Sequence, residues 1–223
     1  MRSVPVKSVL LNLLPFVFLV PCEAFAADKP NIIYILADDL GVGDVGCYDQ
    51  KLLKTPRIDQ LAAEGMRFSQ HYSGSAMCAP TRSCLMTGQH TGHTRVRKNG
   101  HGPLFPEDLT IAEVLKSAGY QTAAIGKWGI GEAGTTGVPW KQGFDLFFGY
   151  LNQGNAHHHY PAFLWRNEEK VLFADNPVKR THYSHDEFTR EAMQFIRDNR
   201  DRPFFLYLPY TLVHVDLDVP DED

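Results

Sequence analysis

The chain turns from a loop of small residues into a short apolar helix at Ser75-Ala76-Met77-Cys78-Ala79-Pro80-Thr81-Arg82-Ser83-Cys84-Leu85-Met86-Thr87-Gly88. Pro80 suits the first helical position, because no N–H donor is needed there, so Cys78 is predicted to lie just ahead of a helix N-terminus. Free N–H groups at that end attract anions, and the planar guanidinium of Arg82 adds a second anion-binding group. The stretch predicts a cysteine nucleophile beside an anion site, although a bare Cys-x-Pro-x-Arg pattern also fits a structural cysteine beside a surface arginine.

The strands on either side of this stretch predict an α/β fold. Asn31 to Leu36 is a β-branched, apolar run, typical of a strand buried on both faces of a mostly parallel sheet. Further strands are predicted near residues 66–72, 120–125 and 204–208, alternating with helices. We therefore expect a mostly parallel sheet flanked by helices.

Two carboxylates, Asp38 and Asp39, directly follow the first predicted strand. Open α/β sheets bind their ligands at the carboxyl ends of the strands. Adjacent carboxylates repel each other unless a cation lies between them, and a hard divalent cation prefers oxygen ligands. The pair therefore indicates a metal site, with an acidic turn as the alternative.

Helix signals divide the rest of the chain. Thr55-Pro56 begins a helix that Gly65 ends, and capping boxes begin helices at Thr110 and Ser184. A short hairpin is expected near residues 165–173. The side chains expected to form the buried helix faces are Ile58, Leu61 and Ala62 in the first helix, Ile111, Val114, Leu115 and Ala118 in the second, and Phe188, Ala192, Phe195 and Ile196 in the third.

The first 26 residues have the pattern of a secretory signal peptide. Arg2 and Lys7 precede an apolar run, and Ala24-Phe25-Ala26 is a cleavage pattern. The run is short and interrupted by polar and proline residues, so we expect no stable membrane anchor; lipid attachment at Cys22 is the alternative. Residues 27–223 are then the secreted or periplasmic part of the chain.

Composition and cysteine count restrict the possible partners and disulfides of the protein. The chain has 223 residues, 43% of them hydrophobic, and a formal net charge of −4, which disfavours nucleic acid as a partner. After removal of the signal peptide three cysteines remain, an odd number that cannot all pair. We expect Cys47 and Cys84 to stay free.

The run from Ala76 to Gly88 resembles the signature of the type I sulfatases, in which the cysteine of Cys-x-Pro-x-Arg is oxidised to formylglycine by a maturation enzyme. Gly119 to Trp128 is similar to the second signature of that family, and Phe204 to His214 also resembles a family segment. The resemblance implies an alkaline-phosphatase-like fold and a sulfuric ester hydrolase. It also departs from the family's common form, which has histidine where this chain has Gly129. His157, His158 and His159 are candidates to replace that histidine; zinc binding by these three neighbours is disfavoured, because adjacent side chains diverge.

The resemblance assigns a role to each candidate residue. It implies catalytic roles for Cys78, Arg82, Lys127 and His214, substrate binding by Lys127, His214 and His157, and one Ca²⁺ held by Asp38, Asp39 and the formylglycine made from Cys78. Arg95, Arg97 and His93 lie in a basic loop that resembles a family loop near the active site. The implied substrate is a sulfated small molecule or a sulfated polysaccharide.

Two alternatives stay open beside the sulfatase. A phosphoric or phosphonic ester hydrolase has the same fold and nucleophile. The resemblance also covers only the first portion of the family's catalytic domain, and the second pair of metal ligands is not found among the 223 residues. An inactive fragment is therefore the second alternative, and residues 27–223 alone are expected to bind calcium weakly and to show negligible activity.

Overall fold

The computed structural model describes residues 29–214, 216 and 218–220. A six-stranded sheet, in the order β1-β6-β2-β3-β4-β5, organises these residues. Pairing is parallel from β1 to β3 and antiparallel from β3 to β5. The strands are β1 (Ile32–Leu36), β2 (Gln121–Lys127), β3 (Leu146–Tyr150), β4 (Phe163–Arg166), β5 (Glu169–Leu172) and β6 (Phe204–Pro209). The expectation of an α/β fold with a mostly parallel sheet is confirmed.

Helices flank this sheet on both faces. They are α1 (Pro56–Glu64), α2 (Cys78–Thr87), α3 (Ile111–Ser117), α4 (Asn176–Lys179) and α5 (Ser184–Asn199). On one face Trp128, Phe144 and Tyr207 lie in a buried cluster, and on the other face Phe188 of α5 packs in a second cluster with Ile125. The β2 strand lies between the two clusters, so its side chains are buried on both faces.

The β1 strand is correctly located, but the prediction that both of its faces are buried is wrong. Ile33 and Ile35 are 47% and 57% exposed. The cause is topological: within the described chain β1 lies at the edge of the sheet and pairs only with β6. A β-branched apolar run does not distinguish such an edge from the sheet centre.

The predicted strand at residues 66–72 is also wrong, because this segment has no strand and its large side chains are exposed. No strand of the described chain pairs with this segment. The hairpin expected near residues 165–173 is confirmed by β4 and β5. Sequence reasoning missed β3, although Leu146-Phe147-Phe148-Gly149-Tyr150 is an apolar run of strand length.

Helix ends follow the sequence signals unevenly. Thr110 and Glu113 form the predicted capping box, with the Thr110 hydroxyl accepting from the Glu113 N–H at 3.2 Å. At α5 no side-chain cap forms, since Tyr183 is the N-cap and Glu187 instead bonds His182.

The predicted helix faces are confirmed for α5 and largely wrong elsewhere. Phe188, Ala192 and Phe195 are buried, and Ile196 packs against their cluster. In α3 the buried residue is Ala112, with Leu115 packed beside it, and in α1 Ala62 is half-buried. The remaining expected side chains are exposed: Ile58 and Leu61 of α1, Ile111 and Val114 of α3, and Ala118 after α3.

The strands β2 and β6 approach closely at Gly126. A Cβ built on this glycine would lie 2.1 Å from the Pro209 carbonyl oxygen, and its φ of 130° suits glycine alone. This close approach brings Lys127, at the end of β2, beside the loop that follows β6.

Three further features concern the expectations above. Cys47, Cys78 and Cys84 are free, as expected for Cys47 and Cys84. No helix in the described ranges has the length and apolar composition needed to cross a bilayer. The predicted signal peptide, residues 1–26, lies outside the described residues.

Candidate active site

Neighbouring strands deliver the candidate residues to one edge of the sheet. Asp38 follows β1, Lys127 ends β2, and His214 follows β6, which lies between those two strands. The Asp38 N–H donates to the Leu212 carbonyl oxygen at 2.8 Å, which joins the loops after β1 and β6. Because parallel strands place their carboxyl ends at the same edge, residues far apart in sequence meet here.

The Asp38 carboxylate lies between two buried cations. Its Oδ2 accepts from Lys127 Nζ at 2.5 Å, and its Oδ1 lies 3.6 Å from an Arg82 guanidinium nitrogen. Lys127 and Arg82 are 0% and 2% exposed. Burial raises the pKa of Asp38, but Arg82 and the Lys127 hydrogen bond lower it by more, so the net shift is downward and the group is a carboxylate.

The Cys78 thiol lies against the same carboxylate. Its Sγ donates to Asp38 Oδ1 at 3.6 Å, and the residue is half-buried. Burial raises the pKa of the thiol; Lys127 lowers it and Asp38 raises it, with a net upward shift. A catalytic thiolate requires the opposite shift, so the unmodified cysteine is a protonated thiol held beside two cations.

The helix begins two residues earlier than predicted. Cys78 is the first residue of α2, with Met77 as N-cap, so the expectation that Pro80 would begin the helix is wrong. Helix ends vary by such margins, and Cys78 still lies at the N-terminus, where backbone donors are free. One donor is occupied, since Asn99 Oδ1 accepts from the Ala79 N–H at 3.0 Å. Sequence reasoning missed Asn99, which lies in a polar loop without any periodic signal.

The side chain of Arg82 is held from two sides and still has unused donor capacity. One of its terminal nitrogens donates to the Lys127 carbonyl oxygen. Its Nε and the Tyr207 hydroxyl are both buried without a hydrogen-bond partner in the described chain. Burial raises the pKa of Tyr207 to about 12, so the hydroxyl keeps its proton beside Arg82.

His157 and His214 form a stacked pair at the edge of the site. Their ring centroids are 4.0 Å apart and their planes differ by 13°. Burial lowers the pKa of His157, and the charges of Lys127 and His214 lower it further. His214 Nε2 also lies 3.5 Å from Asp39 Oδ2, whose side chain is 62% exposed. The structure thus places His157, His214 and Asp39 next to the buried Asp38 cluster.

The other histidines of the triplet face elsewhere. The His158 side chain is 72% exposed, whereas His159 is buried, with its Nδ1 3.4 Å from Thr211 Oγ1. In the basic loop, Arg95 pairs with Asp108 at 2.5 Å and Arg97 donates to the Thr94 carbonyl oxygen, so the described contacts of both arginines lie outside the cluster. Of the three adjacent histidines only His157 stacks on a residue of the site.

Gln153 occupies the space that a side chain at position 129 would need. A Cβ built on Gly129 would lie 2.0 Å from Gln153 Nε2, and Gly129 has a φ of 79°. Gln153 Nε2 donates to the Gly129 carbonyl oxygen at 3.2 Å. This contact joins the loop after β2 to the loop after β3, so no local sequence pattern predicts it.

Three side chains of the cluster are close enough to share a metal ion. Asp38, Cys78 and His214 each offer one ligand atom, and these atoms lie within 4.8 Å of one another. The set of oxygen, sulfur and nitrogen donors is not a calcium set, because Ca²⁺ takes oxygen ligands. Conversion of Cys78 to formylglycine replaces the sulfur by oxygen, and Asp39 next to Asp38 supplies a further carboxylate. With that conversion the residues present fit part of a calcium shell.

Comparison with known proteins relates this site to one family. The sulfatase family model matches residues 30–223. Steryl-sulfatase of Homo sapiens is 38% identical over 160 residues, covering 65% of this chain and 27% of that protein. Arylsulfatase of Hemicentrotus pulcherrimus is 35% identical over 221 residues, covering 87% of this chain and 39% of that protein.

A solved structure agrees with these relatives. The crystal structure of Ps i-CgsB in complex with k-i-k-neocarrahexaose superimposes with a TM-score of 0.73 at 32% identity, covering 86% of this chain and 47% of that one. The chain spans less than half the length of each of these three proteins. The expectation of an alkaline-phosphatase-like sulfatase fold is confirmed over the part that is present.

Proposed function

Because the chain belongs to the sulfatase family, we propose that the protein is a sulfuric ester hydrolase whose nucleophile is a formylglycine made from Cys78. The observation that carries the proposal is the position of Cys78 at a helix N-terminus, beside a buried carboxylate that two buried cations flank. One negative and two positive charges leave this buried cluster with an excess of positive charge. A sulfate group neutralises that excess.

The chain's own residues bind and orient the sulfate. Arg82 and Lys127 are buried, so their charges are weakly screened and act strongly on an anion. Fixed charges of this kind stabilise the charge that develops during group transfer without reorganising, which is usually the largest catalytic contribution. His214, held by its stack with His157, is proposed to contact the sulfate from the other side.

The proposed reaction also needs a nucleophile and a metal ion. The hydrate of formylglycine supplies one hydroxyl that attacks sulfur, with the alcohol as leaving group, and a second whose deprotonation expels sulfate and restores the aldehyde. Asp38, Asp39 and the formylglycine oxygen are the residues that would hold Ca²⁺, which supplies positive charge and lowers the pKa of the attacking hydroxyl. A maturation enzyme is the partner required to oxidise Cys78.

Sulfated small molecules and sulfated polysaccharides are the proposed substrates. The two relatives are named steryl-sulfatase and arylsulfatase, and the solved structure is a complex with k-i-k-neocarrahexaose. The signal-peptide pattern of residues 1–26 supports secretion or periplasmic export without a stable membrane anchor. The acidic net charge disfavours nucleic acid as a partner.

Sulfate release tests the proposal. The protein is produced with a formylglycine-generating enzyme, and release of sulfate from 4-nitrophenyl sulfate and sugar sulfates is compared with release of phosphate from the matching phosphate esters. Mass spectrometry of the Cys78 peptide reports the aldehyde. We expect multiple turnovers with sulfate esters, lost in Cys78→Ala and retained in Cys47→Ala. Turnover by protein that carries only unmodified Cys78 refutes the nucleophile, preference for phosphate esters refutes the reaction class, and absence of both activities supports an inactive chain.

A further inference from the structure

A side chain from a separate loop holds the backbone next to the nucleophile. The helix α2 has no side-chain cap at its own N-cap residue. Pro80 has no N–H, and the Thr81 N–H is already bonded within the first turn. The N–H groups of Cys78 and Ala79 therefore need partners from outside the helix. Asn99 supplies one partner, since its Oδ1 accepts from the Ala79 N–H at 3.0 Å.

This hydrogen bond acts on the side chain at position 78 through one peptide unit. The Ala79 N–H lies in the rigid peptide plane that joins Cys78 to Ala79. That plane and the Cβ of residue 78 are attached to the same Cα, so a plane held in place limits the directions that Cβ can take. The same Cβ carries the Sγ that donates to Asp38 Oδ1, and oxidation of Cys78 turns it into the aldehyde carbon of formylglycine.

The loop that carries Asn99 is itself fixed against α2. The hydroxyl groups of Ser83 and Thr94 are buried and hydrogen-bonded to each other. Ser83 lies four residues after Ala79, so the loop contacts one side of the helix at two successive turns. Asn99 lies in a turn over residues 98–101, which a backbone hydrogen bond of 3.2 Å closes. These contacts hold the Asn99 amide in place beside the helix N-terminus.

We propose that Asn99 is a positioning residue for the nucleophile: it fixes the peptide unit after residue 78, so that the reacting carbon stays directed toward Asp38 and the two buried cations. The inference rests on the proposed sulfatase function for its catalytic consequence, while the same hydrogen bond positions the unmodified thiol. Group transfer depends on such placement, since a displacement of about 1 Å can cost about 100-fold in rate.

Two substitutions at position 99 separate the acceptor from the rest of the side chain. Asn99→Ala removes the acceptor. Asn99→Asp keeps an oxygen in the same place and adds a negative charge, which is favourable at a helix N-terminus. The matched control is Asn167→Ala, because Asn167 Oδ1 accepts from the Phe147 N–H at 2.7 Å, a bond of the same kind away from the site. Circular dichroism and urea denaturation report the folding of each variant.

Alkylation of the unmodified thiol tests the positioning without catalysis. Protein made without a maturation enzyme is treated with iodoacetamide, and mass spectrometry follows the Cys78 and Cys47 peptides. In Asn99→Ala we expect Cys78 to react about three- to tenfold faster, because a side chain no longer held against Asp38 is more accessible. Asn99→Asp is expected to stay within about twofold of the wild type, and Cys47 to react equally in all variants.

Kinetics of the mature protein test the consequence for the reaction, with rates divided by the measured aldehyde content. Asn99→Ala is expected to lower kcat for 4-nitrophenyl sulfate about tenfold with KM within about twofold, as for lost positioning with binding retained. Asn99→Asp should restore kcat and raise KM about threefold, because the added carboxylate repels the anionic ester. Asn167→Ala should lower stability and leave kcat unchanged.

Three results overturn the inference: Cys78 alkylation unchanged in folded Asn99→Ala, kcat unchanged in that variant, or an equal loss of kcat in Asn99→Ala and Asn99→Asp. If Asn99→Ala misfolds, Gly100→Ala replaces it, because a side chain at a φ of 72° strains the turn that holds Asn99. Faster alkylation in the variant, without sulfate release by the mature wild type, refutes the proposed function and leaves the positioning standing. Sulfate release that the variants do not change does the reverse.

Discussion

The imidazole ring of His157 lies flat on the ring of His214, with centroids 4.0 Å apart. The two residues come from the loops after β3 and β6, so each ring restricts the orientation of the other. His214 approaches Asp39, and the charge of Lys127 acts on His157. The stack thus fixes the edge of the site where the proposed sulfate contact is made.

Removal of this stack is expected to weaken sulfate-ester turnover without unfolding the protein. His157→Ala should lower kcat/KM about two- to tenfold, the value of an aromatic pair contact. His157→Phe keeps a flat ring and should recover the part of the loss that comes from stacking. Steady-state kinetics measures both, with His158→Ala as the adjacent exposed control. An equal loss in the control would mean that the stack has no special role.

The charge balance at Asp38 is expected to dominate local stability. Asp38→Asn leaves the buried Lys127 and Arg82 without their carboxylate and should lower the free energy of unfolding by about 3 to 5 kcal/mol. Asp39→Asn, the sequence neighbour, should change it by less than about 0.5 kcal/mol, because that side chain is exposed. Urea denaturation without added calcium measures both.

A double variant separates charge from packing at the same place. Adding Lys127→Met to Asp38→Asn removes one of the two uncompensated cations. Its additional cost should therefore be smaller than the cost of Lys127→Met in the wild type. Simple additivity of the two substitutions would contradict the coupling of these charges.

Acid stability is expected to depend on Asp145. Burial raises the pKa of Asp145, but hydrogen bonds from Lys116 and Thr122 lower it by more, so that it lies below the ordinary value of 3.8. A carboxylate with a lowered pKa stabilises the fold above the unfolded-state pKa, and this stabilisation is lost as the pH falls through the folded-state pKa. Asp145→Asn should therefore cost about 1 to 2 kcal/mol near neutral pH and progressively less below about pH 4.

Chemical denaturation at a series of pH values measures this difference. Asp201→Asn is the matched control, since the Asp201 side chain is 89% exposed and is paired only with its neighbour Arg200 in the described chain. A difference between wild type and Asp145→Asn that does not shrink in acid would contradict the assignment.

The close approach at Gly126 is expected to tolerate no side chain. In Gly126→Ala the new Cβ would meet the Pro209 carbonyl oxygen, and the residue would be held at a φ of 130°. We expect a loss of about 2 to 5 kcal/mol from overpacking and backbone strain. Thermal denaturation compares this variant with Gly43→Ala, where a Cβ meets nothing within 4 Å. Similar losses in the two variants would show that the strand contact is not limiting.

Local sequence signals were sufficient to predict an element where the residues that determine it lie within one short segment. The Thr110–Glu113 capping box and the apolar strands β2 and β6 were predicted within two residues, because caps and continuous apolar runs depend on near neighbours. The meeting of Asp38, Lys127 and His214 at one edge of the sheet was also expected, since each follows a predicted strand. Their roles remain proposals.

Contacts between distant segments were not predictable from any single stretch of the sequence. The exposure of β1 depends on its position at the sheet edge, which strand order decides. Gln153 packs over Gly129, and Asn99 binds Ala79, through contacts between separate loops. Neither an amide in a polar segment nor a glycine after a strand indicates its partner, so these pairs become visible only in three dimensions.

The pairing of β1 with β6 has a consequence for synthesis of the protein. Asn31 and Phe204, which bond across the start of this pair, are 173 residues apart. At 5 to 20 residues per second, a ribosome needs about 9 to 35 seconds to make the intervening chain. During that interval the apolar β1 segment has been made but the strand that pairs with it has not, and Asp38 lacks the Leu212 carbonyl that fixes its loop. The β1 segment therefore stays without its partner strand until nearly all of the described chain has been translated.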